Sequence, residues 1–171
     1  MAVPQDARHI AAQDGDFTPQ HQNQWAIEIA GLEGDDKDLI VLSVMSATLP
    51  VESNEEVMLA YGNEKRYVAG AVEYETIPLV VRDWVDRDTR RALIRWRREV
   101  YDPETGNVGL AKNYKKNAEL ILYSSEGSIT RKVRLVGLWP QALNAGDLSM
   151  ESSDPVQMEM TLRFDRAIWD L

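Results

Sequence analysis

Apolar and polar residues alternate along several segments of the chain, which is the pattern of a β-strand with one buried face. The clearest case is Val156 to Phe164, where apolar Val156, Met158, Met160, Leu162 and Phe164 interleave with Gln157, Glu159, Thr161 and Arg163. Further strands are predicted over Trp25 to Ala30, Ala118 to Tyr123 and Ser128 to Val136. Leu39 to Met45 is almost continuously apolar, which favours a strand covered on both faces.

A long hairpin is predicted over residues 51–69, with its tip near Gly62. Its apolar positions alternate at Val57, Leu59 and Tyr61 and resume after the Tyr61-Gly62-Asn63 tip. The next predicted strand, Ala71 to Val81, carries Val72 and Tyr74 on one face. Glu73 and Glu75 fall on its other face.

One segment has helical periodicity. Ala92, Leu93, Trp96 and Val100 recur at spacings that place them on one helical face, and Asp86 is a plausible N-cap. Arginines cover the rest of the circumference, among them Arg87, Arg91, Arg95 and Arg98. The sequence therefore predicts a mainly β fold of the α+β class, a β-sandwich or barrel with one flanking α-helix. Residues 25–171 form this domain, and residues 1–24 form a polar N-terminal arm.

Composition narrows the range of functions. The 171 residues include no cysteine, which excludes thiol chemistry and disulfides and fits synthesis in a reducing cytoplasm. No apolar run reaches the roughly 20 residues needed to cross a bilayer, so we expect no membrane insertion. The net charge of −9 is unevenly distributed: residues 86–134 hold 7 acidic and 12 basic groups, while residues 1–85 hold 15 acidic and 5 basic groups. Polarised charge of this kind can attract further copies of the chain.

Catalytic and metal-binding patterns are absent from the sequence. The only histidines, His9 and His21, lie in the polar arm, where no rigid triad or zinc site is expected. We therefore predict no catalytic residues, no cofactor and no metal. A carboxylate hydrolase using Glu73 and Glu75 is a remote alternative, because two acids on one strand face are most often solvated. A carbohydrate- or protein-binding module is another, with Trp84, Trp96, Trp139 and Trp169 as stacking residues, although burial is the expected fate of these tryptophans.

Unprotected strand edges favour assembly. The strand predicted over residues 156–164 has Pro155 only at its start and no lysine inside it, so it lacks the usual defences of an edge strand. The hairpin around Gly62 is also longer than chain reversal requires. Joining sheets between subunits would cover such edges.

The order of several short motifs resembles the bacteriophage tail-tube proteins, a group that also includes pyocin tubes and the tube of type VI secretion. The resemblance covers about residues 24–168. It rests on the hairpin of residues 51–70 with Tyr61-Gly-Asn63, on Ala71-Val-Glu-Tyr-Glu75, the helix with Leu93 and Trp96, Tyr101-Asp-Pro-Glu-Thr-Gly106, Tyr114-Lys-Lys116, Gly137-Leu-Trp-Pro140, Gly146-Asp-Leu148 and the final alternating strand.

This resemblance implies a structural subunit of a virion tail, in which hexameric rings stack around a lumen. DNA and the tape-measure protein would pass through that lumen, and a sheath would surround the tube if the tail is contractile. A tube initiator or a tail terminator of the same fold is the nearest alternative. The implied inter-ring stacking residues are Glu55, Glu56, Val57, Leu59, Tyr61, Gly62 and Asn63. The implied lumen residues are Glu73, Glu75 and Glu159, and the implied outer-helix residues are Arg87, Arg91, Arg95 and Arg98.

Overall fold

A computed structural model describes residues 19–32 and 36–170. Within these ranges the chain forms nine strands and three helices. The strands are β1 (Trp25–Ile29), β2 (Val44–Ala47), β3 (Glu52–Tyr61), β4 (Glu64–Tyr74), β5 (Ile77–Arg82), β6 (Lys116–Tyr123), β7 (Ile129–Asn144), β8 (Gln157–Arg163) and β9 (Arg166–Asp170). The helices are α1 (Asp36–Ser43), α2 (Thr89–Val100) and α3 (Ala111–Tyr114). The predicted mainly β fold with one principal helix is confirmed.

The long strand β7 belongs to two antiparallel sheets. Its first part pairs with β6 and β9, giving a sheet in the order β1-β6-β7-β9 that we call sheet A. Its last part pairs with β8, giving sheet B in the order β7-β8-β5-β2. Gly137 lies where β7 passes from one sheet to the other, with a φ of 70° that favours glycine. A bend at this point lets one strand serve both layers.

The core fills the space between the two sheets and under the helices. Sheet A contributes residues such as Ile27 and Leu135, sheet B contributes Leu79 and Met160, and α2 contributes Trp96, which is 1% exposed. The Trp96 indole N–H donates to the carbonyl oxygen of Tyr114 at 3.0 Å, so its polar atom is satisfied. The predicted apolar face of α2, made by Ala92, Leu93, Trp96 and Val100, is buried as expected.

The apolar run of Leu39 to Met45 was expected to be a strand, and this is wrong for most of it. Helix α1 occupies Asp36–Ser43, and β2 begins only at Val44. Periodicity cannot separate a short buried strand from a buried helix. The acidic Asp36 and Asp38 in the first turn favour the helix, because negative charge is stabilised near a helix N-terminus.

The predicted strand of residues 71–81 is divided in the structure. Strand β4 runs on to Tyr74, and β5 starts at Ile77, so Glu75 lies in the connection and not on a strand. The Glu75 N–H donates to the Val51 carbonyl oxygen at 3.1 Å there. Glu73 and Tyr74 both remain on β4. They therefore lie on opposite faces of that strand, as the alternation predicts.

Strand β8 is not an edge strand, contrary to expectation. It lies between β7 and β5 in sheet B, and its predicted inward residues from Met158 to Phe164 are buried. An interior strand needs no edge protection, which explains its missing lysine and proline. The edge argument therefore applies to other strands, including β9, which the alternation pattern did not predict.

The principal helix begins at Thr89, later than the predicted N-cap Asp86. Asp88 occupies the N-cap position, although its side chain makes no capping hydrogen bond. Arg87 therefore precedes the helix and is not part of it, which corrects one of the four outer-helix assignments. Among the described residues, no helix is long and apolar enough to cross a membrane.

Most of the polar arm, residues 1–18, lies outside the described residues. Its last part, residues 19–24, runs beside the β6–β7 hairpin. The Gln20 side-chain amide donates to the Tyr123 carbonyl oxygen at 2.7 Å, and Gly127 at the hairpin turn has the expected positive φ of 82°. The predicted turn at Ser124 to Gly127 is thus confirmed.

Candidate assembly surfaces

Strands β3 and β4 form a two-stranded ribbon that projects from the domain. The ribbon pairs Glu52 with Tyr74 at its base and Tyr61 with Glu64 at its tip. Gly62 turns the chain there with a φ of 61°, as the first central residue of a two-residue loop. The predicted hairpin and its tip are confirmed.

Both faces of the ribbon are exposed. Val57 pairs with Val68 on one face, and Met58 pairs with Tyr67 on the other, so large apolar side chains line both sides. An isolated two-stranded hairpin is at best marginally stable in water. Contiguous exposed apolar surface of this kind marks a site of protein association. The ribbon is therefore built to be covered by something outside this chain.

A β-bulge separates the base of the ribbon from its outer part. The register shifts between Asn54 and Glu56, opposite Gly70. A Cβ added at Gly70 would lie 2.9 Å from both the Glu55 carbonyl oxygen and Val57 Cγ2. Glycine is needed here because the strands approach more closely than any side chain allows.

Several further strand edges are open. The edges of sheet B are β2 and the last part of β7, and those of sheet A are β1 and β9. Strand β2 continues through a short connection into β3, so the open edge of sheet B extends along the ribbon. Such edges present unpaired backbone N–H and C=O groups that can pair with another chain.

The acidic residues implied for a lumen lie on three different elements: Glu159 on β8 of sheet B, Glu73 on the ribbon strand β4, and Glu75 in the connection from β4 to β5. On β8, Glu159 is exposed and turned away from the core side of Met158 and Met160. Half-buried Tyr74 packs against core residue Phe164, and Glu73, next to it on β4, is exposed. Glu75 is exposed in the connection that follows. The outward face of β8 carries exposed Arg163 as well as Glu159. The residues implied from the sequence therefore include only the acidic side chain of this face.

The basic residues around α2 are largely engaged within the chain. Arg95 binds Asp36 at 2.7 Å, Arg91 lies 3.6 Å from Asp88, and Arg98 lies 3.6 Å from Glu104. The sequence pattern could not identify the pair of Arg95 with Asp36, because the two residues lie on different helices. Exposed ion pairs of this kind contribute roughly 0–1 kcal/mol each and exchange readily for other partners.

The chain is similar along its whole length to proteins of one kind. It is 23% identical to the tail tube protein of Serratia phage KSP90, over 99% of this chain and 98% of that protein. It is 25% identical to the tail tube protein gp19 of Enterobacteria phage T4, over 91% of this chain and 93% of that protein. The chain is thus similar in sequence to phage tail tube proteins over at least nine tenths of its length. No family model matches it.

Solved structures show the tail-tube fold in related machines. The sheath/tube terminator of an extracellular contractile injection system superposes with a TM-score of 0.70 at 16% identity, covering 92% of this chain and 100% of that one. A chain of the sheath-tube complex of the same kind of system has a TM-score of 0.67 at 16% identity, covering 98% and 99%. Hcp1 of Flavobacterium johnsoniae has a TM-score of 0.51 at 9% identity, covering 85% and 94%. The resemblance stated from the sequence is confirmed.

A possible metal site was sought among the described residues. No group of three His, Cys, Asp or Glu side chains there could hold a metal ion.

The tryptophans expected to be buried divide into two groups. Trp96 is in the core, whereas Trp84 and Trp169 are substantially exposed.

Proposed function

We propose that this chain is a structural subunit of a phage tail tube, in which hexameric rings stack around a lumen through which DNA is ejected. The projecting ribbon carries the proposal, because it is uncovered on both faces in a chain whose relatives are tail tube proteins. Monomeric proteins rarely expose an apolar surface of this size, so the ribbon favours a subunit of an assembly.

Ring closure would join the edges of sheet B. Its four strands end in β2 on one side and in the last part of β7 on the other, and six such sheets pairing edge to edge would leave no edge open. The pairing would also cover the flanks of the ribbon where β2 continues into β3. Backbone hydrogen bonds would thus supply much of the ring contact.

The face of sheet B turned away from the core would then line the lumen. Glu73, Glu75 and Glu159 are the proposed acidic lining, which would repel DNA phosphates and keep the passage from binding them. The presence of Arg163 on the same face makes this lining less acidic than the carboxylates alone suggest. The tape-measure protein would occupy the same passage before DNA.

The outer surface would carry α2. Arg91, Arg95 and Arg98 are the proposed contacts for a sheath in a contractile tail, with Arg87 just before the helix. Three of these four arginines must first release an acidic partner of their own chain or share it. Such sites suit a contact that is made and broken, because exposed pairs are weak.

A tail terminator or tube initiator of the same fold is the second candidate. The superposition on a sheath/tube terminator favours it, but a likeness at 16% identity concerns the fold alone. The main tube is preferred because the relatives that match over nearly the whole chain are tail tube proteins.

Electron microscopy of the purified chain tests the proposal. We expect six-fold rings at low concentration and tubes of uniform diameter at high concentration. A terminator would give single rings that never elongate. A strict monomer at millimolar concentration, checked by analytical ultracentrifugation, would contradict both candidates.

A further inference from the structure

The two open edges of sheet B run in opposite directions. Strand β2 starts at Val44, and the last part of β7 ends at Asn144. Both residues lie at the end of the sheet where Arg82 pairs with Gln157, because antiparallel pairing alternates the strand direction from β7 through β8 and β5 to β2. If the β2 edge of one copy meets the β7 edge of another, the two strands are therefore antiparallel, and the start of β2 lies beside the end of the other copy's β7.

A groove beside the start of β2 exposes apolar side chains, and we call it the α1 groove. It has a volume of about 360 Å³ and is lined by Leu39, Leu42, Ser43, Trp84, Asp86 and Arg87. Leu42, in the last turn of α1, is 67% exposed. The exposed Trp84 ring is held in place, since its indole N–H donates to the Ser43 hydroxyl at 3.0 Å. The α1 groove is therefore preformed, with apolar side chains that no described part of the chain covers.

The loop that follows β7, residues 145–156, exposes two large apolar side chains. Leu148 is 82% exposed, and Met150 is fully exposed. Gly146 keeps the start of this loop against β8 with a φ of 91°, because a side chain there would collide with the Gln157 carbonyl oxygen. Apolar exposure of this degree in one loop indicates contact with another molecule.

The loop and the groove differ in charge. The loop carries no basic residue and three acids: Asp147, Glu151 and Asp154. On the groove side, the Arg82 guanidinium carbon lies 5.6 Å from the Trp84 ring centroid, and Arg87 lines the groove itself. Asp86 offsets part of this positive charge. Opposite net charge beside apolar side chains makes the two surfaces complementary.

The loop does not cover the α1 groove of its own chain. Leu42 and Leu148 are both exposed in the single chain. Strands β7 and β2 are the opposite edges of sheet B, with β8 and β5 between them, so they lie about 14 Å apart at roughly 4.8 Å per strand. In a copy placed against the β7 edge, by contrast, β2 is the adjacent strand.

We infer that the loop of residues 145–156 occupies the α1 groove of the neighbouring copy in the same ring, with Leu148 and Met150 as the inserted side chains. The inference rests on the proposed ring and adds a contact outside its paired sheet edges. Loop and groove are different surfaces, so each copy gives its loop to one neighbour and receives the loop of the other, and the contacts close around the ring.

Cross-linking between introduced thiols tests this contact, because the chain has no cysteine of its own. Rings of the variant with Leu42→Cys and Leu148→Cys, treated with a short bis-maleimide, should give a ladder of linked chains that stops at the six chains of the proposed ring. The matched control carries Leu42→Cys and Val108→Cys, since Val108 is 73% exposed but lies beyond the C-terminal end of α2. It should form rings and give no ladder.

The length of the ladder separates this contact from others. A ladder that continues beyond six chains would place the loop between rings and overturn the inference. Rings without a ladder, or equal ladders in both variants, would also overturn it and leave the ring intact. Failure of the unaltered chain to form rings would overturn the proposed function and the inference with it.

Substitution by aspartate gives a second, independent readout. Leu148→Asp with Met150→Asp places charge in an apolar contact, so the concentration at which half of the chains form rings should rise at least about tenfold in analytical ultracentrifugation. The thermal midpoint of the monomer should stay unchanged, because both side chains are exposed in the single chain. Val108→Asp, the matched control, should leave ring formation unaltered. Ring formation by the double variant at the concentration of the unaltered chain would contradict the inference.

Discussion

The rings of Tyr74 and Phe164 pack against each other with their centroids 5.4 Å apart. This contact joins the base of the ribbon to the residue that follows β8. It is a contact between ribbon and core at the point where the ribbon leaves the domain. We therefore expect the proposed assembly to depend on Phe164, a core residue far from the ribbon tip.

Replacing Tyr74 should weaken the fold and the tube together. Tyr74→Ala removes an aromatic pair of about 0.5–1.5 kcal/mol beyond the buried area, so we expect a loss of about 1–3 kcal/mol in urea unfolding. Tyr67→Ala is the control, because Tyr67 is exposed on the ribbon and its loss should cost under about 0.5 kcal/mol. Both variants should form shorter tubes by electron microscopy. Equal unfolding free energies for the two would contradict the assignment.

The bulge at Gly70 should matter for assembly and hardly for folding. Gly70→Ala places a methyl group against the Glu55 carbonyl and Val57, which must shift the ribbon pairing. The ribbon lies outside the core, so the thermal midpoint should stay nearly unchanged while tubes fail. Gly106→Ala is the control with the opposite expectation. Its φ of 71° should cost the alanine variant roughly 1 kcal/mol of stability, but tubes should still form because nothing lies near the new methyl group. Normal tubes from Gly70→Ala would show that the bulge is dispensable.

Lys116 should be a major determinant of stability. Its side chain is only 8% exposed, lies 3.0 Å from a Glu99 carboxylate oxygen and donates to the Gly31 carbonyl oxygen at 2.8 Å. Lys116→Met leaves Glu99 partly buried without its partner, and we expect a loss of about 2–4 kcal/mol in chemical denaturation. The double variant with Glu99→Leu should recover part of this loss. A single variant as stable as the unaltered chain would refute the coupling of α2 to β6.

The turn after α2 should lose its order in acid. The Glu104 backbone N–H and then the Thr105 hydroxyl, both donating to Asp102, hold the pKa of that carboxyl below its ordinary value. A lowered pKa means that the turn is stabilised above the ordinary pKa and loses this support as the pH falls through the lowered one. NMR titration of the Asp102 carboxyl should show this, and Thr105→Val should move the midpoint upward. A midpoint at or above the ordinary value would contradict the hydrogen-bond pattern.

Charge reversal on the proposed lumen face should slow DNA passage. Glu73→Lys with Glu159→Lys adds cations where phosphates would slide, and cations retain DNA by displacing its counterions. Tubes should still form, because both side chains are exposed. Ejection kinetics of virions carrying the variant should be slower than those carrying Glu126→Lys on the β6–β7 hairpin. Equal kinetics would remove the lumen assignment.

Sequence patterns predicted the elements whose signals are local. Gly62 and Gly127 mark turns because few other residues accept positive φ, and both turns are where the pattern indicated. The alternation from Met158 to Phe164 likewise predicted a buried face that depends on the strand alone. The hairpin that contains residues 55–63 was predicted for the same reason, whereas the stacking role of these residues comes from the resemblance and stays a prediction.

The sequence by itself thus determined strand faces, the helical face around Trp96 and the position of the hairpin, since each depends on side-chain periodicity within one element. Only the tertiary structure decided that β8 is interior, that Leu39 belongs to a helix and that β7 serves two sheets. Edge and interior positions depend on which strands pair, and pairing is a long-range choice that one strand's pattern does not contain. The same holds for the loops of residues 83–88 and 145–156, which come together because the Asp83 N–H donates to the Val156 carbonyl oxygen across 73 positions of chain.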